Sequence, residues 1–337
     1  MPIDPAPSPE GPICHSIKVD TGSSFDGGVG LATNGVYAIA AGSRQMVFVD
    51  FVKRKIVSSV KIDTGSSFDG SIGVTISPNG DYAFAVGSRK MVFVHIPTFT
   101  VTNTINVDTG SSFDGGVGIA TNGTYVIAAG SRKMVFVDVN SQRVVSSVKI
   151  DTGSSFDGAV GVAISGNYAI AAGSRKMVFL QISSFTVTDT VKIDTGSSFD
   201  GGVGVATTDL FVVAAGSRSV VFVDLKSKVV IGQVPISTGS SFDGNVGVTH
   251  SSGDHRCALV AGSRKLAVLN TRNRDFQVLG KAVIDTGSSF DGGVGLSVSG
   301  TTAIVVGSRR MLFIDNYQNA ASWPEVQEGA GQCCAIL

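Results

Sequence analysis

The sequence predicts an all-β chain folded as a seven-bladed β-propeller of four-stranded antiparallel blades. Three observations predict it. The phrase TGSSFDG begins at Thr21, Thr64, Thr109, Thr152, Thr195, Thr238 and Thr286, with starts 43, 45, 43, 43, 43 and 48 residues apart, the period of propeller blades. Between copies the apolar runs are short, rich in Val, Ile, Ala and Phe, and punctuated by Gly, Asn, Ser and Pro, with no helical period. The seventh unit also lacks a fourth strand, and an unmatched strand, ICHSIKV (13–19), stands before the first copy.

The elements follow in order. Residues 1–12 hold Pro2, Pro5, Pro7 and Pro9 and read as a flexible leader. They carry no basic stretch followed by an apolar core, so they are not a secretory signal. Residues 13–315 form the propeller. Unit four shows the pattern: GAVGVAIS (158–165), a Gly166-Asn167 turn, YAIAAGS (168–174), a turn at Arg175-Lys176, MVFLQI (177–182), then SSFT leading into VTDTVKI (187–193). Each unit is thus four strands, A to D. The seventh ends its third strand at MLFID (311–315), and borrowing residues 13–19 completes that blade and removes two open edges. Units one and three share (I/V)VSSVKI while two and four share FTVTNTI or FTVTDTV, which points to duplication of a blade pair. Unit six is the longest and most divergent.

The run GVAISGNYAIAAGSRKMVF (161–179), with VFVDV (135–139) and VVSSVKI (144–150) in the unit before it, resembles the YVTN and LVIVD propeller repeats. These share an apolar strand, a Gly-Asn or Asn-Gly turn, a Tyr-Ala strand and a V-x-V-D strand. The resemblance covers about residues 13–315 and implies the fold; it implies little about function, because propellers host enzymes, lectins and scaffolds. The near-identity of the units and the GSR and SSFDG phrases set this chain apart.

In an A–B–C–D meander, the D-to-A connection and the B-to-C turn leave from one face. DTGSSFDG is the former and GSR the latter, so a ring of aspartates (Asp26, Asp69, Asp114, Asp157, Asp200, Asp243 and Asp291) and a ring of arginines (Arg44, Arg89, Arg132, Arg175, Arg218, Arg264 and Arg309) face the same way. The structural expectation is an Arg–Asp ion pair, within a blade or with the next one, with bidentate guanidinium geometry locking the blades, and with Phe25 and its equivalents packed between blades. The functional alternative is a ring of ligand sites for sugars or anions, built from Ser, Asp and Arg. DTGSSF also resembles part of the Asp-box of sialidase-like propellers, but Lys18, Lys61 and Lys149 precede the Asp by two, and the loop joins blades instead of lying within one. One Asp every six residues is too few oxygen ligands for calcium.

Lys plus Arg equals Asp plus Glu at 26 each, and the loop face carries twelve positive against thirteen negative side chains. No nucleic-acid partner is expected. No apolar run reaches the ~18 residues of a membrane-spanning helix. His15, His95, His250 and His255 form no motif for a metal or triad, and no Gly-rich loop opens a helix. No metal, cofactor or catalytic residue is expected. Cys14 and Cys257 read as small strand residues in a reducing compartment.

Residues 316–337 form a C-terminal tail. Trp323 and Pro324 are expected to pin it to the propeller, and Cys334-Ala335-Ile336-Leu337 fits C-a-a-X with a terminal Leu, the pattern of geranylgeranylation at Cys334, with Cys333 open to a second lipid. One chain anchors a protein only marginally. Together these features predict a monomeric, non-enzymatic scaffold propeller of a eukaryotic cytosol, held to the membrane by a prenyl anchor and presenting its loop face to a protein. The alternatives are a multivalent glycan-binding propeller and a hydrolase with a site at the central channel.

Overall fold

The computed structural model describes residues 12–323 apart from Phe242, Ser252 and Asp254. The leader to residue 11 and the segment from Pro324 onward, with Cys333 and Cys334, lie outside the described residues.

The described strands form seven four-stranded antiparallel sheets. Blade one runs from Gly30–Thr33 (A) through Tyr37–Ala41 (B) and Gln45–Asp50 (C) to Lys55–Lys61 (D). Blades two to six repeat this order. In blade seven the fourth strand is the N-terminal Ile13–Lys18, paired with Arg310–Asp315 from Ile13↔Asp315 to Lys18↔Arg310. The predicted closure is therefore present. The six turn-connected C–D pairs each shift register midway, as between Phe48 and Val49, whereas the borrowed strand pairs without a shift. A bulge bends and twists an outer strand, so blade seven has the plainest outer edge. The B-to-C turns are shorter than the sequence suggests: Lys176 already belongs to strand C, its N–H donating to Thr152 O at 3.0 Å.

Burial explains the strand sequences. Strands B and C are covered on both faces by neighbouring blades, so YAIAA and MVFV read as continuous apolar runs. Strand D is the outer strand and is more polar: Lys55, Ile56, Val57, Ser59 and Lys61 are exposed, and only Ser58 and Val60 are half-buried. The hydrophobic core is divided among the joints. At the first, Ile39, Met46 and Phe48 of blade one meet Ala83, Ala85, Val92 and Val94 of blade two. The opposite face of blade one holds the small side chains Ala38, Ala40, Val47 and Val49, and these meet Ile304, Met311 and Phe313 of blade seven. Each blade thus has a large-residue face and a small-residue face, and the chain packs large on small around the ring, as when Phe84, Met91 and Phe93 meet Val126, Ala128, Val135 and Val137.

On the face opposite the repeated loops, each C-to-D turn reaches back to the preceding blade. Phe99 packs on Tyr37 and Phe48 (centroids 5.7 and 5.0 Å), Phe185 on Tyr125 and Phe136 (5.8 and 4.9 Å), and Phe276 on Phe211 and Phe222 (5.8 and 3.9 Å). In the intervening joints the group is polar. Arg54 bonds both oxygens of Asp315 at 2.8 and 2.6 Å, Gln142 Oε1 accepts from Asn103 at 2.8 Å, and Lys228 lies 4.2 Å from the Phe179 centroid. The two-blade rhythm of the sequence is this alternation of aromatic and polar keystones. After Asp315 a short 3-10 helix (Tyr317–Ser322) buries Tyr317 and Ala320 against blade six, with Trp323 partly buried beside them. An added Cβ at Gly280 would meet Ala320 O at 2.2 Å, so the outer strand of blade six must be bare there.

Phe136 is fully buried at a large-on-small joint. We expect Phe136→Ala to lower unfolding free energy by about 3–5 kcal/mol in chemical denaturation; a loss below about 1 kcal/mol would contradict the packing described.

The repeated loop face as candidate functional site

Each DTGSSFDG loop is stitched to the blade before it, to its own blade and to the next loop. Asp63 Oδ1 accepts from Gly65 N at 3.0 Å and closes the DTG turn. That turn needs a positive φ: Gly65 has φ 70°, and an added Cβ would lie 2.8 Å from Arg89 Cβ. The buried Thr64 hydroxyl donates to Ser43 O of the preceding GSR turn at 3.2 Å, and Thr109, Thr152, Thr195, Thr238 and Thr286 repeat the bond. Thr21 is the exception, its buried Oγ1 having no hydrogen-bond partner. Thr64 O also accepts from Lys90 N at 3.0 Å, and Ser66 Oγ accepts from Ser88 N at 2.9 Å, tying the loop to its own blade's GSR turn.

The SSFDG half links loop to loop. Ser24 N donates to Phe68 O at 3.1 Å while the Ser24 hydroxyl donates to Asp69 Oδ1. The hydroxyl–carboxylate bond recurs at Ser67–Asp114, Ser112–Asp157, Ser155–Asp200, Ser198–Asp243 and Ser241–Asp291, and Ser289 returns to Asp26 at 2.5 Å, completing a circle of seven. This close passage requires Gly27, whose Cβ would sit 2.2 Å from Phe68 O.

The structure thus brings the predicted aspartates to serines, and the arginines to aromatic rings. Arg44 lies over Phe68 at 4.6 Å, Arg89 over Phe113 at 3.7 Å, Arg132 over Phe156 at 3.9 Å, Arg175 over Phe199 at 4.3 Å, Arg264 over Phe290 at 4.9 Å and Arg309 over Phe25 at 4.0 Å. Arg218 keeps the same place in its turn. Among the described residues no GSR arginine forms an ion pair with an FDG aspartate. A guanidinium is planar and weakly hydrated, so an aromatic face competes well for it. The phenylalanines are not packed between blades either. Phe25 and Phe113 are 51% and 48% exposed, and it is their carbonyls that bridge the loops.

The ion pairs belong to residues the sequence reading passed over. Lys90, Lys133, Lys176 and Arg310, just after GSR, bond Asp63, Asp108, Asp151 and Asp285 of the DTG turns. The Lys90 hydrogen bond holds the Asp63 carboxyl below its usual range, and Lys133 and Lys176 do the same for Asp108 and Asp151. The three lysine pairs have exposed aspartates and contribute little each, whereas Arg310–Asp285 is half-buried at both ends. The i+25 to i+27 spacing of Asp and Lys was a readable signal, but the eye goes to the invariant-looking Arg one place earlier.

Inside the ring, a cavity of about 170 Å³ is lined by Gly, Val, Leu and Ile of the A strands, with Ser71, Ala159 and Asn245 at one end. The Asn245 amide crosses to Ser71 Oγ, joining blade six to blade two. Among the described residues no titratable side chain lines the cavity. The structure does bring two histidines together, both in blade six: His250 and His255 meet edge-on at 5.9 Å. No group of three or more potential metal ligands occurs among the described residues.

No protein-family model and no curated protein matches the chain. Among solved structures it is similar to the WD40 domain of Neurospora crassa Pan2, at 14% identity and a TM-score of 0.61 over 89% of this chain and 95% of that one. The likeness is one of fold: the chain is a seven-bladed β-propeller.

Two predictions follow from these contacts. Thr152→Val, which strands a buried carbonyl, is expected to cost about 1–2 kcal/mol, while Thr21→Val is expected to be neutral or stabilising; equal effects in paired denaturation curves would refute the difference between the joints. His250 is buried, and burial, with the charge of His255, pushes its pKa down to about 4. The folded state therefore refuses a proton that the unfolded chain binds below about pH 6.5. Stability should fall by about 3 kcal/mol between pH 6.5 and 4 from this group, and His250→Ile should flatten that part of the profile.

Proposed function

We propose that the chain is a non-enzymatic binding propeller of the YVTN/LVIVD kind that presents the SSFDG/GSR face to a protein. The observation that carries this reading is the circle of exposed guanidiniums stacked on half-exposed phenylalanines, interleaved with exposed carboxylates. Arginine and aromatic residues are what buried centres of protein interfaces favour, and the mixed charge suits a protein better than a polyanion. The same stacking speaks against a lectin, because a guanidinium already occupies one face of each ring a sugar would stack on. The lining of the central cavity offers a hydrolase no titratable acid or base among the described residues, and its one hydroxyl, Ser71, is engaged by the Asn245 amide. The C-terminal CAIL sequence supports a prenyl anchor on Cys334, with Cys333 available for a second lipid, on the cytoplasmic side of a eukaryotic membrane.

Capture from cytosol and membrane extracts should be lost in the Arg89→Glu/Arg132→Glu/Arg175→Glu chain and kept in Arg272→Ala on the opposite face. Retention by the triple variant would remove the loop face from the reading. Cys334→Ser should shift the protein from membranes to the soluble fraction, and a C-terminal peptide of unmodified mass would exclude the anchor.

A further inference from the structure

The loop face alternates donors and acceptors that the fold leaves unfilled. Arg44, Arg89, Arg132, Arg175 and Arg309 are exposed, place one face on a phenylalanine, and form no hydrogen bond through the guanidinium with another described residue. Their charge reaches the DTG carboxylates, but those already hold the lysines, as at Asp63, Asp108 and Asp151. The seven FDG aspartates are exposed and use Oδ1 for the serine hydroxyl. A polyanion laid on this face would meet as many carboxylates as guanidiniums. The complement of the pattern is a ring with the same alternation.

We propose that the partner of this face is a second copy of the chain, stacked face to face on a shared ring axis; this rests on reading the face as a protein-binding surface. The argument is one of symmetry. A two-fold axis perpendicular to the ring axis reverses the order of the groups and preserves their alternation. A single rotational offset, equal to the angle between an arginine and the adjacent aspartate, then brings the exposed arginines of one copy to the angular positions of aspartates of the other, and the converse, all at once. Such an interface is isologous and closed. The half-exposed phenylalanines, 48–57% accessible at Phe25, Phe68, Phe113, Phe156, Phe199 and Phe290, supply apolar area to bury beneath the ion pairs. Exposed pairs are individually weak, so the contact depends on many acting together. That makes near-identity of the loops a requirement: one odd loop leaves two like or empty contacts, one in each copy.

Light scattering after gel filtration of the full chain tests this. At ~50 mM salt the mass should be twice the 34.5 kDa of one chain, and it should fall toward one chain at ~500 mM, where charges are screened within a few ångströms. Asp114→Asn/Asp157→Asn/Asp200→Asn keeps an oxygen for each serine, removes three charges, and should weaken association at least tenfold while circular dichroism stays unchanged. Small-angle scattering should show two discs stacked on one axis. A wild-type monomer at ~100 μM and low salt, or discs joined edge to edge, would overturn the proposal. Should that monomer still capture another protein through Arg132, only self-pairing is lost and the protein-binding reading stands. A dimer indifferent to both the asparagine and the glutamate triple variants would overturn self-pairing through this face, and loss or retention of capture by the glutamate variant would then decide the protein-binding reading by itself.

Discussion

The contact on which everything else depends is the meeting of a large-residue blade face with a small-residue one. Ile, Met and Phe of one blade fill the space left by Ala and Val of the next. This is a heterologous contact, the kind that yields either an open helix or a closed ring. Propeller cores have no single centre; each joint is its own core, and a side chain that grows on one face must be matched by one that shrinks across the joint. Blade six shows the rule holding under drift: Leu259, Leu266 and Val268 replace the usual Ile, Met and Phe, and they meet Leu312 and Ile314 in blade seven, larger than the usual pair of valines.

The loops turn that packing order into a rigid face. Threonine hydroxyls reach back to one GSR turn, threonine carbonyls reach to the next, and serine–aspartate bonds run from loop to loop. Polar groups that would be costly if buried alone are thus satisfied within a circular network. With the backbone held this way, the arginine is free of structural duty except for its ring contact. That is why a charged residue can be so regular in position and still be exposed.

Much of this was legible from the residues. Period, strand count, the borrowed strand and the common face of the two loops all follow from TGSSFDG, GSR and ICHSIKV, because each reflects backbone geometry with a local signature. The partners of Asp26 or Arg44 did not follow. Pairing by charge is the obvious guess, but the loops sit so close, with Gly27 against Phe68 O, that serine reaches the carboxylate first and the guanidinium meets the ring instead. The Asp–Lys pairs, the reach from Asn245 to Ser71 and the nearness of His250 to His255 are also tertiary facts. No spacing rule along one chain contains the angle between blades.

The borrowed strand has a consequence for how the ring opens. Because Ile13–Lys18 leads directly into the loop of blade one, all seven joints are crossed by continuous backbone, and the break in the chain falls inside blade seven, between its third and fourth strands. Parting there requires no apolar joint to separate at first. It asks only that a six-residue ladder peel from Asp315 toward Arg310, together with release of Arg54 from Asp315. The ring is a buckled belt, and its lifetime as a closed object is set by the buckle.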